Sequence, residues 1–287
     1  MVEIQHFYDP VTATLTYVVH AAGTAVLIDS VADYDGNAVR VTHESAEAVA
    51  RYLDENELRL THVLDTHVHA DHLTAMPYFR ARYGAKTVIS ANVSSVQRTF
   101  AKLLGMEDLV PDGSQFDVLL DDGAELDIGP FRIEAIPTHG HTPASLSFRI
   151  GDAVFVGDSL FQPDYGTARC DFPGGSAAEE YDSIMGLYAL PPTTRVFTGH
   201  DYQPGGRELR FESTIAEQRA TNKHLRDGVT KGEFVALRQQ LEDGKPLPTL
   251  LFQALQINLR AGELPPAGPD GVAWLKLPID AFATAGR

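Results

Sequence analysis

Cysteine is nearly absent: Cys170 is the single one in 287 residues. A disulfide within the chain is therefore excluded, which accords with a reducing compartment. Clustered positive charge is missing as well. Lys and Arg number 23 against 39 Asp and Glu, a formal net charge of −16. Nucleic acid is usually met by a basic stripe, so no nucleic-acid partner is expected, and an anionic small substrate would need local arginines. No apolar run approaches the ~18–20 residues of a membrane helix. The opening residues carry neither a basic nor an apolar leader segment. The expectation is a cytoplasmic protein without membrane association. Short-period repeats and low-complexity segments are lacking too.

What is present fits a globular chain with a substantial core: 44% of residues are hydrophobic and 22% charged. Thr12–His20 and Thr24–Asp29 read as a hairpin, and Ser45–Asn56 as a helix N-capped by Ser45. Strands are predicted at Leu60–Asp65, Thr87–Ser90, Phe116–Leu120, Phe131–Ile136, Ser145–Ile150, Ala153–Val156 and Arg195–Thr198. Helices are predicted at Leu73–Tyr83, Ser94–Leu104, Ala177–Leu190, Arg207–Arg226 and Lys231–Gly244. Antiparallel-looking strand pairs with helices between them argue a layered α+β sandwich. Residues 1–204 are expected to form the main domain, and 205–287 a helical and looped extension packed on it.

The densest chemistry lies in Thr66-His67-Val68-His69-Ala70-Asp71-His72, just after a predicted strand. Imidazole and carboxylate are ligands for zinc, iron or manganese, and buried histidines without partners are costly. Three more polar residues follow strands through small-residue turns: His141, Asp158 and His200. Repeated placement at strand ends is what a shared rim requires.

The order His-x-His-x-Asp-His, then His, Asp and His resembles the metallo-β-lactamase superfamily. The resemblance spans roughly Phe7 to Tyr202 and implies a four-layer αββα sandwich with the metal at one edge. Three features resemble its persulfide dioxygenase branch, near glyoxalase II and a bacterial β-lactamase-hydrolase-like subgroup. These are Thr66–His72, the Gly166-Thr167-Ala168-Arg169-Cys170-Asp171-Phe172 segment and His200-Asp201-Tyr202. Cys170 and Ala168 depart from that branch, which has Thr and Gly there.

By that resemblance, mononuclear Fe(II) would be held by His67, His141 and Asp158, leaving positions open for substrate and O2. His69, Asp71, His72 and His200 would orient ligands. The substrate would be glutathione persulfide or a related small persulfide, oxidised to sulfite and thiol. The rival reading is a zinc hydrolase of thioesterase or lactonase type. It uses one or two Zn(II), with His69, Asp71, His72 and His200 helping to hold a second metal. A catalytically dead metal-binding protein is a third reading, opposed by the complete ligand set. Asp71, His72 and Tyr202 are expected to act in catalysis. Arg169, Tyr202, Arg219, Asn258 and Arg260 are expected to receive the thiol substrate, with Arg169 alternatively paired to Asp171. Cys170 is expected to be a packing residue. Any self-association is expected to give a homodimer.

Overall fold

The computed structural model describes residues 2–280. In chain order its elements are β1 (Glu3–Asp9), β2 (Thr14–Ala21), β3 (Thr24–Ile28), β4 (Val31–Asp35), β5 (Arg40–Thr42), α1 (Glu44–Glu55), β6 (Arg59–Leu64), β7 (Leu73–Thr74), α2 (Met76–Tyr83), β8 (Lys86–Ser90) and α3 (Val93–Leu104). They continue as β9 (Val118–Leu120), β10 (Glu125–Asp127), β11 (Arg132–Pro137), β12 (Leu146–Ile150), β13 (Ala153–Phe155), α4 (Ala177–Tyr188), β14 (Arg195–Phe197), β15 (Glu212–Thr214), α5 (Ile215–Thr221), α6 (Lys231–Glu242) and α7 (Leu251–Asn258).

Two six-stranded sheets result, ordered β1-β2-β3-β6-β8-β9 and β10-β11-β12-β13-β14-β15. The β2–β3 loop is Ala22-Gly23, with φ of 46° and 75°. Positive φ at both positions matches the right-handed twist of the flanking strands. Parallel pairing of β3, β6, β8 and β9 demands crossovers, and α1, α2 and α3 supply helical ones.

Alternation along the strands divides the core into three slabs. Leu15, Tyr17 and Val19 face the other sheet, where they meet Phe148, Phe155 and Phe197. The intervening Val18, with Ala25 and Leu27 from β3, faces α1, α2, α3 and α7. On the far side Val154, Val156 and Val196 pack against Ile184, Ile215 and Phe234. Helices, sheet, sheet, helices: the fold is the four-layer α+β sandwich expected.

Several local expectations fail for tertiary reasons. Ser45 does not cap α1; its hydroxyl donates instead to Asp33 (2.6 Å), and α1 starts at Glu44. Leu73 and Thr74 form a short strand, so α2 begins only at Met76. The helix expected over Arg207–Arg226 is broken. Arg207 is drawn to Asp164 and Asp201, Phe211 stacks on His6 at 3.7 Å, and Glu212–Thr214 completes the second sheet. Thr214 then caps α5 by accepting from the Glu217 amide. Strand β1 and helix α7 were not foreseen at all.

Candidate metal centre

The four candidate ligand segments come together where the two sheets meet at one edge. Beyond β6, the Thr66 amide and hydroxyl both donate to Asp29 (2.7 and 2.9 Å), which follows β3. Thr66 also accepts a backbone bond from Leu146 (2.8 Å), joining one sheet to the other. Asn258 of α7 lies beneath the histidine turn. Its amide donates to the carbonyls of His69 and His72, both at 2.8 Å, and its oxygen accepts from Thr74 N.

Helix α4 clamps the second segment. Glu180 accepts from the His141 amide (2.8 Å), Ser176 N donates to Gly140 O (2.8 Å) and Ser183 donates to His139 O (2.7 Å). The third and fourth segments bind each other through Gly199 N to Gly157 O (2.8 Å). Gly157 has φ 50°, and a Cβ there would strike the Thr66 side chain; only glycine permits this approach.

Each imidazole commits one nitrogen to a protein acceptor. His67 Nδ1 faces Thr66 Oγ1 (3.0 Å), whose own proton goes to Asp29. His69 Nε2 meets Asp29 (3.1 Å), and His72 Nδ1 meets Leu73 O (3.2 Å). His141 Nδ1 meets Arg169 O (2.6 Å), and His200 Nδ1 meets Ala13 O (3.2 Å). The opposite nitrogens are left for the centre. His67 Nε2, His69 Nδ1 and His72 Nε2 are buried without a hydrogen-bond partner. Asp158 gathers three rings: His67 Nε2 at 3.9 Å, His141 Nε2 at 3.7 Å and His200 Nε2 at 3.3 Å.

Two sets are compact enough to share an ion, His67/His141/Asp158 and His69/Asp71/His72, with donor atoms within 4.8 Å of one another. Aligned, unpartnered imidazole nitrogens beside carboxylates fit a metal of zinc or iron type. A third buried group, Asp29, Asp65 and His69, lies behind them. Burial, then the neighbouring His69, holds His67 well below the ordinary histidine value and His72 at about 4. Burial also disfavours charge on His69, yet Asp29 lifts it to about 10. Burial is likewise outweighed at His200, raised by Asp158 and Asp71.

A cleft opens onto Asp71, His141 and Asp158. Its walls include Phe161, Tyr165, Tyr202, Arg169, Phe172 and Lys245. Tyr202 stacks on His200 (5.4 Å, 15°) and leans on Tyr165. The Arg169 guanidinium is held by Asp171 through two 2.6 Å bonds and lies 4.6 Å over the Phe172 ring. Other candidates stand elsewhere. Arg219 pairs with Asp227, Arg260 pairs with Asp108, and Asn258 is a buried brace. None of the three lines the cleft. His139 sits apart against Asp122. Cys170 is buried, and burial pushes its thiol up, away from nucleophile behaviour.

Sequence reasoning passed over Asp29, Glu180 and Lys245. Asp29 carried a usable signal: like Asp158 and His200, it is a polar residue directly after an apolar strand.

Fold and centre together define a metal-binding αββα sandwich. A profile of the metallo-beta-lactamase superfamily matches residues 9–200, and the chain belongs to that superfamily. It is similar to a probable metallo-hydrolase of Burkholderia pseudomallei, 43% identical over 97% of this chain and 99% of the relative. Glyoxylase B2 of Dictyostelium discoideum is 44% identical, over 88% of each. The human mitochondrial persulfide dioxygenase ETHE1 is 29% identical over 90% of this chain and 88% of its own. Among solved structures, ETHE1 from Myxococcus xanthus superposes with a TM-score of 0.74 at 32% identity, covering 91% of this chain and all of that one (100%). Among the described residues no helix is long and apolar enough to cross a membrane.

Proposed function

We propose that the protein is a persulfide dioxygenase that oxidises glutathione persulfide, or a related small persulfide, at mononuclear Fe(II) held by His67, His141 and Asp158. One observation carries this reading. Those three residues form a compact two-histidine, one-carboxylate set, whereas His200 lies between Asp158 and Asp71, 3.3 and 3.2 Å away. Burial notwithstanding, those two carboxylates favour the protonated form of His200, and a protonated imidazole is no metal ligand. Similarity to the two ETHE1 proteins supports the same reading.

The overall reaction balances as persulfide plus dioxygen plus water giving thiol, sulfite and two protons. Iron(II) in such a site would supply the electron-transfer chemistry that dioxygen requires. The chain's own residues do the rest. Lys245, exposed and without an ion-pair partner among the described residues, presents a cation to an anionic thiol carrier. Arg169, whose charge is held by Asp171, fixes the His141 tautomer through its carbonyl. Phe161, Tyr165 and Tyr202 form an aromatic wall that excludes water from the reacting sulfur. Asp71 lines the cleft, and it and the buried His72 would hold and move protons.

A second reading has its own support. His69 Nδ1, His72 Nε2 and Asp71 Oδ2 are also buried without hydrogen bonds, as a second zinc ligand set would be. Two near relatives are named as a metallo-hydrolase and a glyoxylase. The deciding experiment loads the protein with Fe(II) anaerobically, adds glutathione persulfide, and follows oxygen uptake, sulfite and metal content. Rapid uptake at about one iron per chain is the expected result. No uptake, with two zincs per chain and hydrolysis of S-lactoylglutathione, would transfer the assignment to the hydrolase.

A further inference from the structure

Behind the wall of the substrate cleft lies a second, smaller cavity that the reaction as described does not use. Val96 and Phe100 of α3 form one side, and Leu251 and Leu255 of α7 the other. Phe172 and His141 close it. Both of these residues also line the substrate cleft. The Phe172 ring meets the His141 ring nearly edge-on, at 6.1 Å and 72°. A molecule in this cavity is therefore one imidazole ring away from the metal centre.

Size and polarity limit what can enter. The free volume is about 20 Å3, and one water-sized molecule occupies roughly 10–15 Å3 of such space. A thiol carrier does not fit. The walls are almost wholly apolar, and cavities of that kind stay dry while taking up apolar guests such as xenon. An ion would lose its hydration for nothing in return. The guest that remains is a small, neutral, apolar gas.

We propose that this cavity is a dioxygen site feeding the metal centre past His141. The identity of the gas rests on the dioxygenase reading above; the cavity's preference for an apolar guest does not. Two substrates of opposite character then arrive by different routes. The charged persulfide enters between Arg169 and Lys245, and dioxygen enters from the apolar side between α3 and α7. Phe172 separates the two. Saturation with persulfide consequently leaves the gas route open, so the two substrates do not compete for entry.

The test combines a structure with kinetics. Crystals of the metal-loaded protein are pressurised with xenon, and the anomalous signal is located. Steady-state oxygen uptake is then measured for the wild type and for Val96→Leu, which adds one methylene to the cavity wall. Xenon is expected between Val96, Phe100 and Leu255. Val96→Leu is expected to raise the KM for dioxygen roughly tenfold, the scale on which an apolar pocket registers one methylene. Its KM for glutathione persulfide should stay within twofold of the wild type. Val96→Ala, which enlarges the cavity, should keep xenon and leave the dioxygen KM low. If xenon is absent from the cavity, the proposal falls, whatever Val96→Leu does. If xenon is present but dioxygen KM is unchanged in a well-folded Val96→Leu, the dioxygen route falls. A wild-type enzyme that takes up no oxygen refutes the dioxygenase reading, and with it the identity of the guest. Oxygen uptake without xenon refutes the cavity proposal alone.

Discussion

Single residues decide which nitrogen of each histidine can reach an ion. Thr66, Asp29, Leu73, Arg169 and Ala13 each hold the far side of one ring, and such partners set both orientation and basicity. The ligands themselves were readable because each follows an apolar strand through a small-residue turn. Their partners were not, since three of them, Leu73, Arg169 and Ala13, act through backbone carbonyls whose side chains carry no sign of the task. Lys245 was hidden for another reason. It lies in a proline-flanked loop far along the chain from the centre, and only the fold brings it beside Arg169. Because Asp171 already neutralises Arg169, the residue free to receive a substrate anion is Lys245. Replacing Lys245 by Ala should therefore raise KM for an anionic substrate about tenfold, the lower end of what a charge-assisted bond contributes, with kcat little changed. Steady-state kinetics on Lys245→Ala and Arg169→Ala compare the two cations directly. A larger KM effect from Arg169→Ala would reverse their order.

At the scale of elements, the helices after the second sheet serve the centre without touching substrate. In α7, Asn258 binds three backbone groups of the His69–Thr74 turn. Asn258→Ala leaves them buried and unpaired, at about 1–3 kcal/mol for an unsatisfied group. It should also weaken metal affinity by roughly 10–100-fold, as loss of an orienting partner does. Melting curves and chelator competition would separate the effects; lost stability with unchanged affinity would reduce Asn258 to a packing role. In α6, the buried Arg238–Glu242 pair holds Thr167 O and the Cys170 amide, so it shapes the loop that carries Arg169.

His224 props the same loop by accepting from Thr167 N (3.0 Å). Burial, then Arg238, lowers its pKa to about 4. A histidine depressed in the folded state stabilises the fold fully above its unfolded value near 6.5. That contribution is lost as pH falls from there through about 4. In His224→Asn, whose carbonyl keeps the acceptor, stability should fall less steeply over that window than in the wild type. Parallel denaturant titrations at stepped pH values check this; identical slopes would show that His224 is not the titrating group. Helix α7 escaped sequence reading because it is buried on nearly every side, with Gln256 and Asn258 turned inward among the apolar residues, which erases the amphipathic period. The stretch after Arg207 misled for the opposite reason: its charges suggested a solvated helix, yet Arg207 binds Asp164 and Asp201 of the main domain and Glu212 binds Arg195.

The whole molecule places its ligands on two separate sheets. His67 and the following turn extend from the first sheet; His141, Asp158 and His200 extend from the second. The layered architecture was legible because strand alternation is strong, as in Leu15, Tyr17 and Val19 against Val18. How the layers close was not, because it depends on long-range bonds such as Thr66 to Leu146 and Leu15 to Gly199. An ion bound across that edge ties sheet to sheet, and the unfolded chain has no such arrangement to offer. Binding to the folded state alone stabilises it by about 2.7 kcal/mol at 100 times Kd. For a chain of this size each 1 kcal/mol moves Tm by roughly 2–4 °C. Chelation should therefore lower Tm by about 5–10 °C, and restoring Fe(II) or Zn(II) should reverse the loss in proportion to the logarithm of metal concentration. Calorimetry on stripped and reloaded protein measures it. His67→Ala should abolish most of the metal-dependent part, because it removes Nε2, the buried nitrogen that has no hydrogen-bond partner in the protein and is offered to the ion. A Tm indifferent to chelation would mean that the two sheets close without an ion, and that these aligned imidazoles hold one too weakly to matter for the fold.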